Sequence, residues 1–251
     1  MAEVTITAAG FFSGGRFGNE RESFTAPSGN LSDVRWGEIS DAPFERFGRL
    51  DGVCKSAIVA VEMLGLEAVV EGSRSDWGIT VGTEYGCVDV DVAFFKTRNQ
   101  PGGASPILFP YTLPSTAIGE IAIRHRITGP NACYMAGRES GMLALREGAR
   151  LVESGEASAC ICVGCDSIGG PASSEPMTEA WAFLIADHAL SERAPLGRIV
   201  FEPAADGRRR VYGLREVFEV LASDDIKRSE LTIQAPCALR GGPDMLIRHM
   251  R

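Results

Sequence analysis

Positive charge is in short supply in this sequence. Lys and Arg number 25 against 33 Asp and Glu, for a formal net charge of -8. Phosphate backbones are recognised by clustered Lys and Arg, so the deficit argues against nucleic acid as a partner. The one basic run, Arg208, Arg209 and Arg210, is short and reads as a solvated turn. Long apolar runs are missing too: none approaches the about 18 residues that a membrane span needs. The N-terminus carries Glu3 and no leading Lys or Arg, so it lacks the charged and apolar regions of a secretion signal. No repeat of solenoid period appears. Histidine is confined to His125, His188 and His249. These absences lead to the expectation of a cytoplasmic protein with no membrane or nucleic-acid partner.

What is present describes a globular chain. Hydrophobic residues make up 45% and charged residues 23% of 251 residues. That supports a substantial core and argues against disorder. The length suits one large domain or two small ones. Seven cysteines, an odd number, read as free thiols in a cytosolic setting rather than as a disulfide framework. Cys160, Cys162 and Cys165 invite a metal reading. Strand alternation puts Cys160 and Cys162 on one face, and no second ligand pair follows at zinc spacing, so small buried hydrophobes are expected and no metal or cofactor.

Periodicity places the elements. Val4 and Ile6 alternate with polar neighbours and predict a strand, followed by a Gly, Ser, Asn and Arg-rich loop or extended excursion over 13–35. Residues 54–66 (CKSAIVAVEMLGL) predict a largely buried helix and 77–82 (WGITVG) a short strand. Residues 87–97 (CVDVDVAFFKT) read either as a strand or as a helix packed on an interface. A Pro and Gly-rich loop to residue 114 leads to a helix over 115–125 with a Ser or Thr cap. Gly129-Pro130 opens a strand. Residues 139–153 form an amphipathic helix with Met142, Leu145, Ala149 and Val152 on one face. Further strands are predicted at 159–164, 182–186, 198–201 and 231–234, and a helix at 214–222. Residues 246–251 read as a helix cut short or a frayed end. Strands alternating with helices imply an α/β fold with helices against a mixed sheet.

Four segments in order carry a family resemblance. Residues 109–116 (FPYTLPST) are similar to a loop-to-helix stretch often written F-V-P-S-T. Residues 127–141 (ITGPNACYMAGRESG) resemble a G-P...A-C-[ST]-S-G nucleophile elbow. Residues 152–166 (VESGEASACICVGCD) resemble the turn G-[DE]-A-D and the strand ending A-G-G-[AG]-[ED]. Residues 231–244 (LTIQAPCALRGGPD) resemble the strand and loop of H-G-T-x-T-x-x-x-D. Together they resemble the ketosynthases of fatty-acid and polyketide synthesis, from about Phe44 onward. The resemblance implies a thiolase-like α/β fold, a mixed sheet covered by helices, shortened relative to full ketosynthases. It also implies one domain over 1–251, with the family's N-terminal half well represented and its C-terminal half compressed or missing.

A ketosynthase needs a cysteine thiolate at a helix N-terminus and two histidines. Counted from Gly129-Pro130, the nucleophile position is Arg138, and Cys133 lies five residues upstream within the strand. Anchored on Asp244, the first histidine position is Pro236. The chain reaches Arg251 before the family's catalytic lysine and second histidine. About fifteen residues separate the strand at 163–166 from the next at 181–186, where the family has a long loop region, and the family's G-x-G-A is replaced by Glu179-Ala180-Trp181-Ala182. Arginine is a poor nucleophile, and a cation at a helix N-terminus opposes the dipole. Arg138 is therefore expected either to be held by an anion, with Glu139 or a partner group as candidates, or to point into solvent without a role.

The resemblance thus implies no catalytic residues. It implies a chain-length-factor-like pseudoenzyme that pairs with an active ketosynthase as a heterodimer, shapes its acyl tunnel and meets the acyl carrier protein indirectly. Short relatives of this kind are associated with aryl-polyene-like synthesis. Interface and tunnel candidates are Val92, Phe94, Phe95, Phe109, Tyr111, Thr112, Tyr134, Met135 and Arg138. Taken singly, the apolar ones read equally as core packing. Phe94 and Phe95 stand out, because two adjacent aromatics cannot share one helix face. Two alternatives remain open: a standalone acyl-chain or acyl-carrier-protein binding homodimer, and an enzyme using Ser140, Cys133 or Cys237 as nucleophile.

Overall fold

A computed structural model describes residues 4–26, 31, 34–68, 74–169, 176–187, 195–202, 209–210, 213–223, 232–235 and 244–249. Its centre is one mixed sheet. Three strands run parallel: β4 (Gly78–Gly82) lies between β5 (Asn131–Tyr134) and β6 (Ala159–Ile168). β7 (Met177–Asp187) pairs antiparallel with β6, and β1 (Val4–Ser13) antiparallel with β7. The sheet continues through β8 (Gly197–Glu202), β11 (Asp244–His249), β10 (Thr232–Ala235) and the two-residue β9 (Arg209–Arg210). β5 is therefore one edge of the sheet.

Helices cover both faces. On one side α1 (Gly52–Glu62) and α3 (Thr116–His125) pack over Ile79, Val81, Ile161 and Leu184. On the other, α4 (Ser140–Glu153) and α5 (Leu214–Ala222) pack over Phe11, Cys160, Cys162 and Phe183. Alternation along β6 divides its cysteines as expected: Cys160 and Cys162 face α4, while Cys165 joins the opposite core. Gly148 of α4 makes the first contact possible, since a Cβ there would collide with the Cys162 sulfur. The fifth helix, α2 (Val88–Thr97), packs against residues 109–112 and the end of β6 and has no buried residue.

Of the two readings of the stretch after β1, the extended excursion is the one observed: β2 (Arg16–Asn19) and β3 (Ser23–Thr25) pair antiparallel, with Phe17 stacked on Phe24. Other expectations are corrected. Thr5 and Thr7 are buried along with Val4 and Ile6, because β1 is central and covered on both faces. Their hydroxyls donate to the carbonyls of Ala186 and Leu184 across the sheet. Residues 87–97 settle as helix. The Ser or Thr cap of α3 is not made by Ser115, which gives no side-chain cap hydrogen bond; the Thr116 hydroxyl donates instead to the Pro110 carbonyl. The segment read as a frayed helix is strand β11, hydrogen-bonded between β8 and β10, with Met245 and Ile247 buried. Met245-Leu246-Ile247 is a short apolar run that periodicity alone does not assign to helix or strand. No helix among the described residues is long and apolar enough to cross a membrane.

Candidate functional site

The edge strand β5 runs into a turn at Ala136 and Gly137. Gly137 has φ of 62°, a left-handed conformation that suits glycine. Arg138 follows, and Glu139 occupies the N-cap of α4. Ser140 locks the turn: its Oγ accepts from the Ala136 N–H at 2.8 Å and donates to the Gly137 carbonyl at 2.6 Å. Its own N–H donates to the same carbonyl at 3.0 Å. Glu139 makes no side-chain cap, so the positive end of α4 is left to whatever approaches it. The sequence pattern strand–turn–helix is therefore realised as an elbow, with Arg138 at its exposed tip.

Small residues bring four elements together around this elbow. A Cβ on Gly82, at the end of β4, would collide with the Ser140 carbonyl. Gly141 of α4 and Gly164 of β6 leave room for Leu214, the first residue of α5; added Cβ atoms there would lie 3.1 and 2.7 Å from its Cδ1. The N-termini of α4 and α5 thus face a shared cleft of about 300 Å³, to which Arg138, Glu84, Glu179, Trp181 and Arg215 contribute walls. Asp166, the last residue of the β6 sequence motif, fixes one wall. Its Oδ1 accepts from Thr83 Oγ1 at 2.7 Å, from the Glu84 N–H at 2.9 Å and from the Tyr85 N–H at 3.0 Å. Burial raises the Asp166 carboxyl above its ordinary range, and these three donors work against that rise. This anchoring role went unread in the sequence, where only the acidic end of the strand motif pointed to it.

Arg138 is exposed, and no carboxylate among the described residues lies within ion-pair distance of it. Glu139, named as a candidate partner, does not hold it. Pro236, Cys237 and His188 lie outside the described residues. Of the other proposed nucleophiles, Ser140 is buried and its hydroxyl is committed in both directions. Cys133 is half-buried, and burial pushes its thiol up, away from the thiolate form. His125 does not line the cleft. It sits beneath α1, its Nε2 3.5 Å from Glu62 Oε1, and burial followed by Arg124 and Arg74 lowers it to about 3. The imidazole is neutral at physiological pH.

The apolar candidates lie in α2, in the turn at 109–112 and at the end of β5. Val92 and Phe94 are half-buried, and Phe94 packs against Phe109 with ring centroids 5.8 Å apart. Phe95 is 59% exposed, with the Arg98 guanidinium 3.8 Å from its ring centre. The adjacent pair therefore divides as expected, one ring inward and one outward. Phe109 is exposed, while Tyr111 and Thr112 are half-buried in a 3-10 turn (Phe109–Thr112). Tyr111 leans on the core, and the Thr112 hydroxyl donates to the Phe109 carbonyl at 2.8 Å. Tyr134 is half-buried at the end of β5, and Met135 is 58% exposed, its side chain beside Gly86. Leu113, within the stretch 109–116, is exposed too; Ile107 belongs to the same exposed set and was missed, because it sits among prolines and glycines where no periodicity marks a face.

Residues 46–207 match the model of the beta-ketoacyl synthase N-terminal domain. The chain is similar to a 3-oxoacyl-[acyl-carrier-protein] synthase 2 of Synechocystis sp., at 28% identity over 148 residues, covering 55% of this chain and 36% of that protein. It thus spans about a third of the length of that curated relative. Among solved structures, the ishigamide ketosynthase/chain length factor superposes with a TM-score of 0.72 at 16% identity, over 99% of this chain and 100% of that one. A complex of the ketosynthase ApeO with its chain length factor ApeC from Xenorhabdus doucetiae gives a TM-score of 0.59 at 11% identity, over 99% and 100%. These likenesses show the fold, and the thiolase-like α/β architecture expected from the sequence is the one observed.

Proposed function

The chain belongs to the beta-ketoacyl synthase family, and from that premise we propose that it is a non-catalytic subunit of chain-length-factor type, pairing with an active beta-ketoacyl-[acyl-carrier-protein] synthase. The observation that carries this reading is the elbow itself. Where condensation needs a thiolate on a helix N-terminus, the tip bears a guanidinium, and no histidine among the described residues lines the cleft. A guanidinium stays protonated and has no nucleophilic lone pair to offer.

The partner half of the reading is supported by the β5 edge. β5 ends the sheet among the described strands, and a helix with no buried residue and the exposed side chains Phe95, Ile107, Phe109, Leu113 and Met135 are found in the segments around it. Exposed apolar side chains of this kind are costly to leave in water and suit a subunit interface. In the assembled pair Phe94 and Phe95 line or close the partner's acyl tunnel, and the acyl carrier protein is met through the partner. Read this way, 1–251 acts as a single domain in the cytoplasm, a setting consistent with six described cysteines that are all free.

The test is co-expression with the ketosynthase encoded nearest to it, followed by size-exclusion chromatography. Co-elution at the mass of a heteromer is expected. Separate elution sinks the partner role, and elution as a homodimer points instead to the standalone binding module. Consumption of malonyl or acyl thioesters by the purified chain alone overturns the non-catalytic reading.

A further inference from the structure

The two sides of α2 differ. One side meets the rest of the chain: Phe94 packs against Phe109, and a Cβ on Gly169 would lie 3.7 Å from Asp89 Oδ2. On the other side, helical spacing places Val88, Asp91, Phe95 and Arg98 on one stripe. Asp91, Phe95 and Arg98 are exposed, and Val88 is half-buried. Apolar side chains border the helix. Met135 reaches Gly86, two residues ahead of α2, where Pro114 also arrives, and the exposed Phe109 sits against Phe94.

The charges on this stripe have an order. Asp91 is in the first turn of α2 and Arg98 is its C-cap, so each sits at the end that the helix dipole favours. Neither makes an ion pair among the described residues. The Arg98 guanidinium stacks on the Phe95 ring at 3.8 Å, which holds the cation against the stripe. Asp91 and Arg98 are about 10.5 Å apart along the helix axis, and Phe95 lies near the midpoint. A stripe ordered acid, aromatic, base is its own complement when reversed. An antiparallel copy sets Asp91 against Arg98 twice and brings the two Phe95 rings together at the centre. A purely apolar occupant would instead cover Asp91 and Arg98 without giving either a partner, which is costly.

We infer that this stripe docks on the same stripe of a second copy of the chain, as an antiparallel α2–α2 pair about a twofold axis near Phe95. The inference rests on the reading of α2 as an interface helix. It gives that helix an occupant when no ketosynthase is present, and the ketosynthase competes for the same face. One helix stripe is a small interface, so the pair is weak: it forms at high protein concentration and dissolves on dilution.

The experiment is sedimentation velocity on the isolated full chain over a dilution series at fixed ionic strength. A reversible monomer–dimer equilibrium is expected for the wild type. Asp91→Arg gives a stripe with two cations, and Arg98→Asp gives one with two anions. Each variant alone is expected to weaken the dimer by about tenfold or more, because like charges then face one another. Mixed in equal amounts, the two variants are expected to pair again, since every cation then opposes an anion. Two misfolded chains would not repair one another, so this step separates charge matching from damage to the fold. A wild-type chain that stays monomeric to its solubility limit overturns the inference. So does a dimer that both variants leave unchanged, or a mixture in which no dimer re-forms. Co-elution with the ketosynthase is scored separately. A chain that is monomeric alone yet forms the heteromer sinks self-pairing and leaves the proposed function standing. A homodimer that behaves as expected in the mixing test but never co-elutes with the ketosynthase does the reverse.

Discussion

α1 and α2 are nearly equal in length, 11 and 10 residues, and both are rich in valine and other apolar side chains. Eight residues of α1 are buried and none of α2 is. Composition does not separate them; position does. α1 starts at Asp51, whose carboxylate accepts from the Cys54 N–H at 3.0 Å, and lies across the middle of the sheet where β6 and β7 offer a closed apolar surface. α2 starts beyond the end of β4 and packs against residues 109–112 and the end of β6, away from the middle of the sheet. The comparison teaches that where an apolar helix sits relative to the sheet, and not its composition, decides whether it is buried.

The largest effect should come from emptying the buried helix. Ile58→Ala in α1 leaves a cavity at a fully buried site, and a loss of about 2–5 kcal/mol is expected in denaturant unfolding of the isolated chain. A loss near that size from Phe95→Ala would break the contrast between the helices. Next comes the assembled state. Phe95→Asp puts a charge on the exposed face of α2 and is expected to weaken pairing with the ketosynthase by about tenfold or more. An unchanged co-elution profile would remove α2 from the interface. A smaller effect concerns acid. Burial holds His125 to about 3, below the about 6.5 of an unfolded chain. Its neutral form therefore contributes stability that is complete above about pH 6.5 and is lost as pH falls towards 3. The carboxyls of Glu120 and Asp166 are raised by burial, so they bind protons in the native state and act in the opposite sense. The difference between wild type and His125→Gln isolates the histidine: the variant should lose less stability between pH 7 and pH 5. The smallest effect is Phe95→Ala in the isolated chain, within about 0.5 kcal/mol of wild type, as for a surface site.

Much of the architecture was legible because its periodicities are strong. The amphipathic face of α4, with Met142, Leu145, Ala149 and Val152 all buried, follows from spacing alone. The alternation of Cys160 and Cys162 against Cys165 does too. Residues 87–97 carried both periods at once, and neighbouring structure decided for helix. β11 was misread because its short apolar run gives no length to tell strand from helix. At the site, counting from Gly129-Pro130 pointed to Arg138, and the structure has it at the tip of the elbow before α4. The converging N-terminus of α5 was not, since 76 positions separate Arg138 from Leu214 and no local pattern links them.

The sequence by itself determined which side chains the elbow holds: a glycine for the turn, a serine to lock it and an arginine at its tip. It also determined which helices are apolar. The tertiary structure decided which of those helices is covered, and that two helix ends and Arg138 share one cleft. Local spacing fixes the face a side chain occupies within its own element. Which distant element arrives at that face depends on sheet order and on the close approaches that Gly82, Gly141 and Gly164 permit.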